Sequence, residues 1–299
     1  MMKYFLFTLI LLMAGACSYE QTKQPFDLQG HRGARGLLPE NTIPSFLIAL
    51  DHGVDTIEMD LVVTKEGELL VSHEPWFHHH ISTKPDGSPV TEEEAMDLNI
   101  YEMTYEEIKT FDVGSRGHHL YPQQEPIPVH KPLFIDAIRA IEAYVTENNL
   151  NPVAYNIETK SSPDLYGIMY PYPDEYARIL ADELAVLNRE FDLTDRLIIQ
   201  SFDPATLVEL RKLEPGIAQA ILVNRDEPMQ SYLDSLGYIP EIWSPNFRLV
   251  TPEMVEQAHN LGMKVIPWTI NTVDEMQNQL NMGVDGIITD YPDSAAVLR

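Results

Sequence analysis

Eight apolar runs rich in β-branched residues recur along this chain, with helix-like spacing of apolar residues between them. The runs are Asp27 to His31, Thr56 to Val63, Val153 to Thr159, Leu197 to Phe202, Ile217 to Val223, Ile242 to Pro245, Val265 to Ile270 and Gly286 to Thr289. Strands alternating with helices pair in parallel, and eight such units predict an α/β fold of the (β/α)8 TIM barrel type over residues 27–299. The intervening helices are legible from their ends. Thr42 opens Ile43 to His52, which closes at Gly53; Pro204 starts Ala205 to Leu213; Thr251 and Pro252 open Glu253 to Leu261, which closes at Gly262.

One region breaks this rhythm. Lys65-Glu66-Gly67 is a turn signal followed by Leu69 to His73, so the chain is expected to return from the second strand as a hairpin. Residues 75–132 then contain a capping box at Thr91 to Glu94, a short helix from Thr104 to Thr110 and a proline-rich loop from Tyr121 to Pro132. Their apolar residues are too few and too irregular for an independent core. The segment is therefore expected to be an insertion covering one side of the barrel mouth.

Two of the strand runs carry charge where a buried parallel strand should be apolar on both faces. Successive strand side chains alternate in direction, so Thr56, Glu58 and Asp60 share one face while Ile57, Met59 and Leu61 take the other. The same alternation groups Asn156, Glu158 and Lys160. Three carboxylates drawn together need a shared proton or cation, because like charges about 4 Å apart repel by about 4 kcal/mol at an effective dielectric near 20. An all-oxygen set prefers one hard divalent cation, Mg2+ or Ca2+. Zinc would more often recruit His31 or His73 directly.

The N-terminus has the layout of an export signal: Lys3, an apolar run from Tyr4 to Met13, and the small residues Ala14, Gly15 and Ala16 before Cys17. That run is too short to span a bilayer. Cys17 is the sole cysteine of 299 residues, which excludes an intramolecular disulfide. Its position resembles the lipobox of bacterial lipoproteins, although Ala14 stands where leucine is usual. The expectation is a signal peptide over residues 1–17, a tether over 18–26, and a lipid-anchored protein on the periplasmic or outer face of a bacterial membrane. With 46 acidic against 20 basic residues and a net charge of −26, the chain repels nucleic acid at long range. An anionic substrate would have to find positive charge inside the site.

In a TIM barrel the reactive groups lie at the C-terminal ends of strands and in the loops after them. His31-Arg32-Gly33 ends strand one, Glu158 and Lys160 end the strand after the insertion, and His73 ends the returning hairpin. A divalent cation on Glu58, Asp60 and Glu158, extra charge from Arg32 and Lys160, and two imidazoles titrating near neutrality suit phosphodiester hydrolysis. Which histidine is acid and which is base does not follow from sequence.

These residues fall within an ordered set of motifs. His31-Arg32-Gly33, Pro39-Glu40-Asn41-Thr42, Glu58-x-Asp60, Thr64-Lys65-x-Gly67, His73, Asn156-Ile157-Glu158-x-Lys160, Gln200-Ser201-Phe202 and Gly286 to Pro292 together resemble the glycerophosphodiester phosphodiesterases, from Leu28 almost to the C-terminus. The resemblance implies a (β/α)8 barrel, a divalent metal, and hydrolysis of deacylated phospholipids to glycerol 3-phosphate and an alcohol. It places the metal on Glu58, Asp60 and Glu158, acid/base work on His31 and His73, and phosphate contacts on Arg32 and Lys160. It also implies the glycerol 2-hydroxyl as first nucleophile, giving a cyclic phosphate that water opens. Glu74 stands where the family usually has aspartate, which leaves the support of His73 open.

Other residues admit two readings. Trp268 is either core or a wall against the substrate; Gln200 either lines the mouth or bonds backbone; Glu40 and Asn41 either cap the first helix or reach the site. The residues from Tyr166 to Tyr176 have the composition of a flap over the pocket. His78-His79-His80 are expected to be a solvated loop, and His52, His118, His119, His130 and His259 to be structural. The competing functions are a noncatalytic surface protein that binds phosphodiesters and a related phospholipase-type enzyme. The first has no need of two proton shuttles, and the second requires an apolar entrance.

Overall fold

The computed structural model describes residues 25–299. The expected signal, Cys17 and the tether up to residue 24 lie outside the described residues. Phe26, expected within the tether, packs into the core. Eight parallel strands follow: β1 (Asp27–Gly30), β2 (Thr56–Val63), β4 (Ala154–Thr159), β5 (Leu197–Ser201), β6 (Ala218–Val223), β7 (Ile242–Pro245), β8 (Lys264–Val265) and β9 (Gly286–Thr289). Their order in the sheet is β8-β7-β6-β5-β4-β2-β1-β9, with the short β3 (Leu69–Val71) antiparallel to β2. Closure comes from three backbone bonds. Asp285 N donates to Val265 O, Ile288 N to Pro267 O, and Ile270 N to Ile288 O, at 2.8, 3.0 and 2.9 Å. This is the (β/α)8 barrel expected from the sequence.

The strand expected over Val265 to Ile270 is regular only at Lys264–Val265. Pro267 has no N–H to continue a ladder, so the remainder runs on as irregular extended chain. Trp268 N still donates to Pro245 O at 3.0 Å, which keeps that segment at the barrel wall.

Helices cover the outside: α1 (Ile43–Asp51), α3 (Phe134–Glu147), α4 (Pro173–Phe191), α5 (Pro204–Leu213), α6 (Met229–Leu236), α7 (Pro252–Asn260), α8 (Val273–Asn281) and the short α9 (Pro292–Ala295). Their starts follow the sequence signals. Thr42, Asp203, Thr251 and Thr272 each cap a first turn through a side-chain oxygen, satisfying N–H groups that have no intrahelical partner. The main core fills the layer between these helices and the sheet, and each aliphatic side chain fully buried there contributes about 1.5–3 kcal/mol.

The barrel lumen is divided. On the β1, β2, β4 and β5 side, buried amides form a chain: Asn156 Nδ2 donates to Gln29 Oε1 at 2.7 Å and to Gln200 Oε1 at 3.1 Å. On the opposite side Ala220, Ile242, Ile266 and Ile288 make a small apolar cluster with Trp268 against it. Polar and apolar halves of one lumen thus meet beneath the mouth.

The inserted segment holds one short helix, α2 (Tyr105–Ile108), and 3-10 turns at Ala95–Asp97 and Ile100–Glu102. The capping box at Thr91 to Glu94 forms, with Thr91 N donating to Glu94 Oε1 at 2.9 Å, but only a single turn follows it. Phe77 and Phe111 stack 3.9 Å apart within a satellite core that includes Val62 of β2 and Leu70 of β3. That small core leans on the barrel rather than standing alone.

Candidate active site

Parallel register brings the acidic residues to one rim. Asp60 of β2 lies beside Glu158 of β4, and Glu58 lies beside Asn156. One oxygen each from Glu58, Asp60 and Glu158 fall within 4.8 Å of one another, and all three residues are buried. The surroundings shift the three in different directions. For Asp60, burial works upward, but Arg32, Lys160 and His73, with a hydrogen bond from Asn41, take its pKa well below the usual carboxylate range. Burial pushes Glu58 well up, and repulsion from Asp60 and Glu158 adds to it. Burial also pushes Glu158 up, against the pull of Lys160.

The loop after β1 supplies the opposing charge. Arg32 has φ of 51°, in a region that costs a non-glycine residue about 1–3 kcal/mol, and the contacts it gains there are specific. Its backbone N–H donates to Glu58 Oε2 at 2.7 Å, and its guanidinium reaches Glu40 Oε1 at 2.7 Å and Asp60 Oδ2 at 3.2 Å. Gly33 follows with φ of 85°, and a Cβ there would stand 2.6 Å from the backbone of Ser45. Lys160 Nζ sits 2.6 Å from Glu158 Oε1 and 3.7 Å from Asp60 Oδ1, so its charge is placed on the acidic trio. Gln200 lines the mouth rather than bonding backbone, with Nε2 donating to Glu58 Oε1 at 3.0 Å. Asn41 also reaches the site, with Nδ2 donating to Asp60 Oδ2 at 2.7 Å, so its role extends beyond the start of α1.

Each imidazole has a carboxylate behind it. His31 Nδ1 lies 2.6 Å from Asp290 Oδ1, and Asp290 is fully buried at the end of β9. Asp290 also accepts from Arg35 Nε at 2.9 Å, Asn271 Nδ2 at 2.7 Å and Tyr121 Oη at 3.2 Å. Burial lowers the His31 pKa to about 4 despite Asp290, while His31 and Arg35 hold Asp290 far below the carboxylate range against burial. His73 is set by β3: Ser72 N donates to Asp60 O at 2.9 Å, which swings the next residue over the trio. Its Nδ1 lies 2.6 Å from Glu74 Oε1. Although burial opposes it, the bond to His73, with Arg32 and Lys131 nearby, keeps Glu74 below the usual range. The longer glutamate side chain therefore gives His73 the support that the sequence left open.

Lys131 is buried, donates to Ser72 Oγ at 2.7 Å, and has its pKa lowered by burial. Asp290, Arg35, Tyr121 and Lys131 carried no site assignment from sequence. Only Asp290 had a signal, its place in the terminal Gly286 to Pro292 motif after the last strand.

His31, Arg32, Glu58, His73, Glu158 and Gln200 all line one cavity of about 180 Å³, closed on its far side by Phe202, Leu222, Trp268 and Ile288. Trp268 is half-buried, donates from Nε1 to Ser244 O at 2.9 Å, and meets Phe202 edge to face at 5.4 Å. It is wall, and the apolar half of the lumen supports it. A larger space at the other end of the barrel is lined by residues such as Asp55, Arg196 and Lys264, away from both histidines. With six carboxylates (Glu40, Glu58, Asp60, Glu74, Glu158 and Asp290) facing four cations (Arg32, Arg35, Lys131 and Lys160), the fully ionised site carries two excess negative charges. One divalent cation balances that charge, and an all-oxygen trio is the donor set a hard ion takes.

Fold and site together define a TIM-barrel enzyme with paired imidazoles over a buried acidic trio. Residues 31–294 match the model of the glycerophosphoryl diester phosphodiesterase family, and the chain belongs to that family. Similar curated proteins include glycerophosphodiester phosphodiesterases from Bacillus altitudinis and from Caldanaerobacter subterraneus subsp. tengcongensis. The first is 29% identical over 90% of this chain and 96% of its own length, the second 30% identical over 88% and 93%. Among solved structures, a protein of Silicibacter pomeroyi provisionally assigned as a glycerophosphoryl diester phosphodiesterase superposes with a TM-score of 0.79, at 29% identity, over 92% of this chain and 94% of its own. An Oleispira antarctica phosphodiesterase, in complex with the product sn-glycerol-3-phosphate, shares the fold at 23% identity, with a TM-score of 0.69 and coverage of 91% and 96%.

Proposed function

We propose that this enzyme hydrolyses glycerophosphodiesters to sn-glycerol 3-phosphate and an alcohol, with one divalent cation, Mg2+ or Ca2+, held by Glu58, Asp60 and Glu158. The observation that carries the reading is one cavity lined by both imidazoles and by Glu58 and Glu158, whose carboxylates cluster with that of Asp60. When bound, the cation supplies Lewis-acid stabilisation of charge on the phosphoryl oxygens. The chain's own residues do the rest. Arg32 faces the same cavity and adds positive charge where the diester would sit. Asp290 and Glu74 are ionised and can only accept, so each histidine carries its proton on Nδ1 and works through Nε2. Burial keeps His31 neutral at pH 7, which suits it to take the proton of the attacking glycerol 2-hydroxyl on Nε2; His73, entering the step with a second proton on Nε2, gives that proton to the departing alcohol oxygen. The resulting cyclic phosphate is opened by water with the two roles reversed. Trp268 and Phe202 form the apolar wall against which the carbon skeleton lies.

The test is release of glycerol 3-phosphate from glycerophosphocholine or glycerophosphoethanolamine, with and without EDTA. Equal rates in both would remove the cation from the mechanism. His31→Ala and His73→Ala are each expected to lose at least about a hundredfold in turnover. A cyclic glycerol phosphate seen by phosphorus NMR would support the first nucleophile, and direct solvent-oxygen incorporation without it would exclude that step. Export with lipidation at Cys17 is a further part of this reading, supported by the N-terminal sequence. Labelled palmitate should enter the wild-type chain and not Cys17→Ala.

A further inference from the structure

The histidines expected to be a solvated loop and unrelated structural residues converge instead. His78, His79 and His80 in one loop of the insertion meet His118 and His119 from a second loop. His80 is the hub, with ring centroids 4.0 Å from His79, 4.3 Å from His119 and 4.8 Å from His78. The two loops are already pinned together, since Arg116 Nη1 donates to His79 O at 2.6 Å and to Ser82 O at 3.0 Å. A surface cavity of about 580 Å³ opens beside them, lined by His80, Arg116, His118, His119, Tyr121 and Gln124.

The geometry points to a second metal site on this insertion, in which His80 and His119, joined by His79, bind a transition-metal cation of the Zn2+, Ni2+ or Cu2+ class and staple the two loops. Donor chemistry decides the class, because imidazole nitrogens suit these ions as carboxylate oxygens suit Mg2+ or Ca2+. The same chemistry selects among the five rings. His78 Nδ1 accepts from His80 N and His118 Nδ1 from Leu120 N, each at 3.2 Å, so the other nitrogen of both rings carries the proton. The side chains of His79, His80 and His119 make no hydrogen bond among the described residues, which leaves their lone pairs for an ion. Among the described residues only the acidic trio has its ligand atoms already converged, so the imidazole nitrogens must turn toward a common point. His80 and His119 are exposed, and rotation about their side-chain bonds can draw nitrogens to the roughly 2.0–2.1 Å that zinc requires.

A staple has a structural purpose here. The insertion rests on a small satellite core, and the second loop reaches the active site through Tyr121, whose ring meets His118 at 4.8 Å and whose hydroxyl bonds Asp290. Closing two loops with an ion would hold that contact in place.

The test uses the full chain with excess Mg2+, so that the acidic trio does not compete. Titration with Zn2+ is expected to show one ion per chain, retained in Glu58→Gln and weakened at least about a hundredfold in His80→Ala/His119→Ala, since even outer-shell changes cost 10–100-fold. Cu2+ in the same protein should give nitrogen couplings in its electron paramagnetic resonance spectrum. Trypsin cleavage after Arg116 should slow with Zn2+ in the wild type and not in the double variant. Phosphodiester hydrolysis by the double variant at wild-type rate shows that it is folded. Equal Zn2+ affinity in wild type and double variant, or Cu2+ coordinated by oxygen alone, overturns the site.

Discussion

The two imidazoles of the active site differ in how they are held. His31 projects from the barrel itself, with a side chain 12% exposed against an Asp290 that is 0% exposed and bonded by three further residues. His73 comes from the hairpin after β2, with a side chain 30% exposed against a Glu74 that is 19% exposed. One is part of a rigid sheet and the other of a rim built by an insertion. The contrast teaches that matching chemistry does not require matching support. On the roles proposed above, a base is served by a dry setting and an acid by access to water.

That contrast can be broken experimentally. Asp290→Asn should have the largest effect: the tautomer and orientation of His31 are lost, and kcat should fall at least about a hundredfold, as carboxylate loss behind a catalytic histidine does elsewhere. A loss under tenfold would mean that the sheet alone orients His31. Next is stability against pH. His31 has a folded pKa of about 4, depressed from its usual value near 6.5 chiefly by burial. The unfolded chain therefore takes up this proton first, so the contribution is present above pH 6.5 and lost as pH falls toward 4, an effect of about 3 kcal/mol. His31→Gln, which keeps a donor toward Asp290, should flatten chemical denaturation midpoints across that window. An unchanged slope would show that His31 is not desolvated. Glu74→Gln should lower kcat by about tenfold, less than Asp290→Asn, because the partly exposed His73 can borrow water in place of the carboxylate. If the two substitutions cost the same, the difference in burial does not matter to function. Smallest is Tyr121→Phe, which removes one of the four residues that donate to Asp290; a drop of about threefold in kcat with unchanged KM is expected, from a net hydrogen bond of about 0.5–1.5 kcal/mol. No change would detach the insertion from the catalytic pair.

Much of this was legible beforehand because two signals are local. Strand period two places Glu58 and Asp60 on one face whatever surrounds them, and β-branched runs separated by capped helices specify the barrel topology. The acidic trio, both histidines, Arg32 and Lys160 were accordingly found as a set. What escaped was the support. Asp290 is 259 residues from His31 in sequence, Tyr121 is 169 residues from Asp290, and Lys131 is 59 residues from Ser72. No periodicity links such pairs; only closure of the barrel and docking of the insertion bring them together. The same reason explains the histidine cluster, which as two separate short runs carries no spacing that a metal site requires. The shortened β8 escaped differently, because Pro267 lies within an apolar run and the composition masked a missing donor.

The amino-acid sequence by itself determined the number of strands, the direction of their side chains and the identity of the candidate site residues, since these follow from bond geometry and residue type over a few neighbours. The tertiary structure alone decided the charge states. Burial holds His31 neutral, Arg32 and Lys160 hold Asp60 ionised, and desolvation with repulsion pushes Glu58 toward a proton or a cation. Those outcomes depend on distance through low-dielectric space between residues remote in the chain, and distance of that kind exists only once the barrel has closed.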